Sequence, residues 1–343
     1  MRTRLCDLLQ IETPIIQAPI GSATTPALAA AVSNAGGLGM LAVSWREPDE
    51  LRSLLRATRD LTDRPFGVNL VLQWDQRARL EVALGEGVRI VSLFWGDPTP
   101  YLASIQAAGA LAIHAVGDVA EASAAAAAGV DVIVAQGWEA GGHVRGRVAM
   151  STLVPRVSDA VAPRPVVAAG GIGDGRGIAA ALALGADGVW LGTRFLATEE
   201  AGVHPSYREA LVRATEADTV YATLFDGGWP DAPHRVLRNR TVRTWEAAGC
   251  PPPGQRPGEG EALASYPDGR TVLRYSDTIP VAGMNGAVEE LALYAGQSVA
   301  FVRGIQSAAA TVRELTREAD QALERCRAIE AHGPLPGEPR NAA

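Results

Sequence analysis

Between residues 15 and 192 the chain repeats one unit eight times: a short apolar run, then an alanine-rich stretch with apolar residues at helical spacing. The runs are residues 15–18 (IIQA), 38–42 (LGMLA), 66–70 (FGVNL), 89–95 (RIVSLFW), 111–116 (LAIHAV), 131–136 (DVIVAQ), 165–170 (PVVAAG) and 188–192 (GVWLG). Parallel strands covered on both faces need near-continuous apolar runs of this length, joined by helical crossovers. The fold class is therefore α/β, and eight units predict a (β/α)8 TIM barrel. Because a pattern of this kind does not fix closure, an open doubly wound sheet is the alternative.

The intervening stretches carry their own punctuation. Pro26 falls in a first helical turn within TPALAAAVSNAGG, and glycines end that stretch and DVAEASAAAAAGV. The alternation stops at residue 226, where DGGWPDAPHRVLRNR and CPPPGQRPGEGEALASYPDGR are rich in Pro, Gly and Arg. Residues 226–276 are expected to form an insertion or lid subdomain, not another βα unit. Residues 1–225 and 277–332 then make the barrel with its C-terminal helices, helical spacing resuming at residue 286; residues 333–343, with three prolines, make a flexible tail.

A chain of 343 residues that is 47% hydrophobic and has 37 glycines can fill one large core with many tight turns. Its net charge of −7 excludes an electrostatic grip on nucleic acid, which needs a basic face, and points to a small-molecule partner. Cys6, Cys250 and Cys326 show neither disulfide nor zinc spacing, so no metal is expected. No apolar run approaches the roughly 20 residues of a membrane span, and the N-terminus lacks a secretory core; a cytoplasmic protein is expected.

In a (β/α)8 barrel the site lies where the C-terminal strand ends meet the following loops. Gly170 and Gly171 follow the seventh run, and Gly192 and Thr193 the eighth. Glycines there let backbone N–H groups approach a phosphate, in turns that lead toward helix N-termini; the alternative is that they only make turns. Arg194 either adds charge to this site or pairs with an acidic neighbour, and Asp174 reads as a helix N-cap. Asn69 and Gln136 interrupt apolar runs near their C-terminal ends. A planar heterocycle such as a flavin would satisfy such amides, as would loop backbone. His143, in AQGWEAGGHVRGR beyond the sixth run, is expected on a flexible turn at the same rim, able to take a proton or donate to an anion. His114 shares the rim; His204, His234 and His332 have weaker positions.

The segments PIIQAPI, AAAVSNAGGLG, LTDRPFGVNL, AQGWEAGGH, VVAAGGIGDGRGIAAALALGADGVWLGTRF and YAGQSV together resemble the flavin-dependent nitronate monooxygenases, over most of the chain. The resemblance implies a barrel that binds flavin mononucleotide (FMN), with a smaller inserted and C-terminal subdomain formed by the insertion and part of the C-terminal helices, and with contacts to the flavin from Ala18, Pro19, Ile20, Asn69, Gln136, Gly141, Gly142, Gly170, Gly171, Trp190, Leu191, Gly192, Thr193, Gln297 and Ser298. It makes His143 the catalytic residue. It implies oxidation by O2 of an alkyl nitronate, such as propionate 3-nitronate, to a carbonyl compound and nitrite, and leaves a homodimer open. One departure stands out: two residues rather than one separate His143 from the next glycine, in HVRG. Arg145 and Arg147 there would suit a carboxylated or otherwise anionic substrate. An NAD(P)H:quinone or enoyl-acyl-carrier-protein reductase of the same superfamily, and a flavin-binding sensor, are the rival readings. A barrel with a loop cysteine nucleophile is disfavoured, since no cysteine falls at the rim.

Overall fold

The computed structural model describes residues 1–331. In chain order come β1 (Ile15–Gln17), β2 (Gly39–Ala42), β3 (Phe66–Val71), β4 (Ile90–Phe94), β5 (Leu111–Val116) and β6 (Val132–Gln136), then the short β7 (Gly142–His143) outside the barrel, then β8 (Val166–Ala169) and β9 (Gly188–Leu191). The eight barrel strands pair in parallel in the order β1-β9-β8-β6-β5-β4-β3-β2. The seam between β1 and β2 closes through an Ile16–Leu38 bridge. There the Gln17 N–H donates to the Leu38 carbonyl, and the Leu38 N–H to the Ile15 carbonyl, each at 2.9 Å. The buried Gln17 side chain fills the rest of the seam: Oε1 accepts from the Met40 N–H at 3.0 Å, and Nε2 donates to the Ala18 carbonyl. The sheet is thus a barrel, not an open doubly wound layer.

Alternation along each strand sorts side chains into two cores. Ile16, Met40, Ile90, Ile113, Val132 and Val167 point inward, and Leu5, Cys6 and Leu9 of the helix Arg4–Leu9 pack against this set from the N-terminal end. Their neighbours, such as Leu41, Val68, Val91, Ile133 and Val189, pack outward under the helices. Local signals set the helices. Thr25 caps Pro26–Asn34 by accepting from the Leu28 N–H at 3.0 Å, and Asp118 caps Val119–Ala128 from the Glu121 N–H at 2.9 Å. The C-terminal helix Ala308–Ala331 lies against Gly175–Ala183, where a side chain at Gly175 would come within 2.2 Å of the Ala319 nitrogen.

Outside the barrel are two small antiparallel sheets. β10 (Thr219–Ala222) and β11 (His234–Leu237) form one with β7, in the order β10-β11-β7; β12 (Ala262–Ser265), β13 (Thr271–Leu273) and β14 (Asn285–Gly286) form the other, in the order β13-β12-β14. This subdomain draws on more of the chain than residues 226–276, taking in β7, β10 and the segment after residue 276. The helical spacing expected from residue 286 is not realised before residue 308. Residues 287–307 are short 3-10 turns and irregular chain. Leu293 and Tyr294 run beside β11, where the Leu237 N–H donates to the Leu293 carbonyl at 2.8 Å, so their burial comes from tertiary contacts and not from a helix face. Residues 332–343, including the tail expected at 333–343, lie outside the described residues.

Candidate active site

The inward positions at the C-terminal strand ends open into a cavity of about 390 Å³. The period of two decides which residues reach it. On β3, Asn69 and Val71 line it while Val68 and Leu70 pack outward. On β4, Ser92 and Phe94 line it; on β6, Val134 and Gln136. Ala18, Pro19 and Ile20 after β1, and Trp190 through Thr193 at the end of β9, complete the barrel side. Gly142 and His143 come from β7, and Gly141, Gly170, Gly171 and Ser298 from loops and turns. The structure therefore brings the flavin contacts and the histidine that the resemblance implied around one cavity, except Gln297, which is not among the lining residues and whose N–H donates to the Glu139 carbonyl at 3.0 Å. His114 alternates outward on β5, buried and away from the cavity, with Nδ1 unpartnered.

His143 is held more firmly than a flexible turn would hold it. As part of β7 it pairs with His234 on β11, and Gly142 with Arg235; the next residue, Val144, donates its N–H to the Pro233 carbonyl at 2.8 Å. Trp229 lies over the imidazole at 4.1 Å between ring centroids, with Tyr294 at 5.4 Å and His234 at 5.7 Å. His143 Nε2 is buried without a hydrogen-bond partner among the described residues. Burial, reinforced by His234, lowers its pKa to about 3, so the ring is neutral at physiological pH. His234 is itself fully buried: its Nε2 accepts from the Phe225 N–H at 3.1 Å, and Nδ1 lies 3.0 Å from the Ala232 carbonyl. That pairing selects the tautomer with the proton on Nδ1.

Gln136 braces the histidine strand. Its Nε2 donates to the His143 carbonyl at 3.0 Å, which commits part of the amide to loop backbone. Arg145 turns away from the cavity to pair with Glu121 and to stack on Trp95 at 5.6 Å, and Gly146 packs backbone to backbone on Gly117, where a Cβ would meet the Gly117 carbonyl oxygen. Neither Arg145 nor Arg147 lines the cavity, so the anion-binding charge expected from them is not there.

Opposite His143, Gly170 (φ +96°) and Gly171 (φ +71°) turn the chain sharply after β8, and a Cβ on Gly170 would press on the Gly137 carbonyl at 2.8 Å. The N–H groups of Gly171 and Thr193 take no protein partner among the described residues, which leaves them available to an anion. The helix N-terminus expected to help is occupied: Asp174 caps Gly175–Ala183, accepting from the Arg176 and Gly177 N–H groups at 3.0 and 3.2 Å. Arg194 faces away, bound to Glu314 at 2.8 Å and to the Phe301 carbonyl, and anchors the C-terminal helix.

The sequence profile of the nitronate monooxygenase family matches this chain over residues 2–79 and 72–318. A nitronate monooxygenase of Paraburkholderia phytofirmans is 35% identical over 374 residues, covering 94% of this chain and 96% of the relative. The chain belongs to the nitronate monooxygenase family. A (3aS,4S,5R,7aS)-5-hydroxy-7a-methyl-1-oxo-octahydro-1H-indene-4-carboxyl-CoA dehydrogenase of Rhodococcus jostii is 41% identical over 250 residues, covering 73% of this chain and 69% of that protein. The structure of FabK from Thermotoga maritima superposes with a TM-score of 0.82 at 36% identity, covering 96% of this chain and 99% of that one. The family and these relatives make the chain an oxidoreductase.

For this family member the sequence reading passed over Ser92, Trp229, Asp277 and Tyr294, all of which line the cavity. Ser92 carried the same signal as Asn69, a polar residue interrupting an apolar run; its Oγ is buried without a partner among the described residues. Trp229 sits in DGGWPD, a segment that reads as loop, and Tyr294 in the stretch read as helix. Asp277 was visible only as a loop acid, and burial, aided by the nearby Asp226, raises its pKa to about 6.

Proposed function

We propose that the cavity holds FMN and that the protein oxidises an alkyl nitronate with O2, releasing a carbonyl compound and nitrite. The observation that carries this reading is His143: a neutral imidazole fixed beside a cavity that can accept a planar, phosphate-bearing group. The cavity volume falls in the usual range for such ligands. The buried Ser92 Oγ and the Asn69 amide on the barrel side, with the open N–H groups of Gly171 and Thr193, fit a flavin ring at one end and its phosphate at the other. Flavin, when bound, accepts the electrons the substrate gives up.

The protein's part is then positioning and proton handling. A neutral His143 donates an N–H to the oxygens of an anionic nitronate, or takes the α-proton of the neutral nitroalkane at its free ring nitrogen. An anion beside it favours the imidazolium, so substrate binding itself raises the histidine pKa. Trp229 and Tyr294 hold the ring in place and exclude water. A second reading, redox chemistry on an acyl thioester with a nicotinamide partner, draws support from the Rhodococcus relative and from a lining with no arginine or lysine to hold a small anion.

Purified protein tests both. A flavin spectrum, with bleaching by an alkyl nitronate under anaerobic conditions and none by NADH or NADPH, is expected. Rapid bleaching by NAD(P)H would sink the nitronate reading in favour of the second. A colourless protein that FMN cannot reconstitute would sink both. Replacement of His143 by Asn should keep the flavin and lose turnover; retained turnover would remove the histidine from the chemistry.

A further inference from the structure

The cavity wall contributed by the subdomain carries one acid and no base. Tyr266, Asp277, Thr278 and Ile279 line this side, while no arginine or lysine among the described residues lines the cavity. Among the described residues the Asp277 carboxylate forms no ion pair, in contrast to its neighbour Asp226, which Arg256 neutralises at 2.8 Å. Its position is built. The Asp277 N–H donates to the Gly227 carbonyl at 3.2 Å, and its own carbonyl accepts from the Tyr294 hydroxyl at 3.1 Å. The carboxylate lies against Gly228, where a Cβ would come within 2.5 Å of Oδ1, so a residue with no side chain makes its room. Gly228 immediately precedes Trp229, the ring over His143. Asp277 thus borders the cavity on the side of Trp229.

We infer that Asp277 sets the charge selectivity of this cavity, admitting substrates whose body is uncharged or cationic and rejecting those that carry a carboxylate. The inference rests on the reading that His143 faces the reacting group, and it narrows the substrate class: nitronates of plain or cyclic hydrocarbons fit, propionate 3-nitronate does not. An unpaired carboxylate in a wall of low polarity repels a second anion far more strongly than the same charge would in water. Trp45, Phe94 and Ile279 supply the apolar surface that an uncharged body needs.

Benzamide and benzoate have the same shape and differ in charge, and their binding to the purified protein can be read from tryptophan fluorescence, since Trp45 and Trp229 line the cavity. At pH 8, above the Asp277 pKa of about 6, benzamide is expected to bind at least about tenfold tighter than benzoate. Asp277→Asn and Asp277→Ser should each bring the ratio within about threefold by tightening benzoate while leaving benzamide unchanged. Equal affinities in the unaltered protein, no measurable affinity for either probe, or a gap that survives both substitutions overturns the inference. The measurement needs no turnover, so a protein that discriminates between the probes but oxidises no nitronate refutes the proposed reaction and leaves the role of Asp277 standing.

Discussion

Acid should unfold this protein through histidines that have no part in its chemistry, His234 and His114. Both are buried, at 0% and 6% exposure, and burial lowers each pKa from the ordinary 6.5 to about 4. Between these values the unfolded chain binds a proton that the folded chain refuses, so stability is complete above pH 6.5 and falls as the pH drops toward 4. The gap of 6.5 − 4 units corresponds to roughly 3 kcal/mol per histidine, of which about 2 kcal/mol is lost between pH 7 and pH 5. His234 has a structural reason for its resistance: a proton on Nε2 would break the hydrogen bond from the Phe225 N–H and leave that donor buried. The assay is urea unfolding at pH 7 and pH 5 for the unaltered protein and for His234→Gln, whose amide oxygen can accept from Phe225. His143, with a pKa of about 3, and Asp277, with one of about 6, titrate alike in both proteins, so the variant is expected to lose about 2 kcal/mol less than the unaltered protein between pH 7 and pH 5. Equal losses in the two proteins would refute the reasoning.

Other substitutions probe the histidine strand. Gly141→Ala places a Cβ 2.3 Å from the Gly296 nitrogen and should cost about 1–3 kcal/mol of stability. Gly142→Ala meets no atom within 4 Å but keeps a φ of +75°, and should cost about 1 kcal/mol; thermal unfolding ranks the two, and the reverse order would contradict the packing. Trp229→Ala should destabilise by about 3–5 kcal/mol and move the His143 pKa up from about 3 as water reaches the ring, measured by titrating histidine NMR signals. An unchanged value would show that Trp229 is not what desolvates it. Gln136→Leu removes the bond to the His143 carbonyl, so turnover should fall while flavin content holds; loss of flavin instead would mean that the amide serves the cofactor.

The barrel was legible because burial on both faces leaves each strand a nearly unbroken apolar run, and Asn69 was legible because one amide in such a run must find a partner. His143 was legible from its place after β6. What holds it was not. In β11 all four residues, His234–Leu237, are buried and two of them are polar, so neither alternation nor an apolar run marks the strand. Residues 291–296 misled for the opposite reason: apolar spacing that suits a helix face also suits an extended segment pressed between the cavity and β11. Arg194 and Gln136 show a further limit. The sequence places each at the right strand end, but whether an arginine turns to a ligand or to Glu314, and an amide to a flavin or to loop backbone, depends on neighbours distant in the chain.

The pairing of β7 with β11 has a bearing on how the protein opens. The ladder that aims His143 joins segments separated by β8, β9 and β10 and belongs to the small sheet, with no hydrogen-bonded strand in common with the barrel. Segments of unequal stability open independently. Local opening of the small sheet is therefore expected to withdraw His143 while the barrel stays intact, so that a chain in that state can retain a ligand which the histidine does not reach.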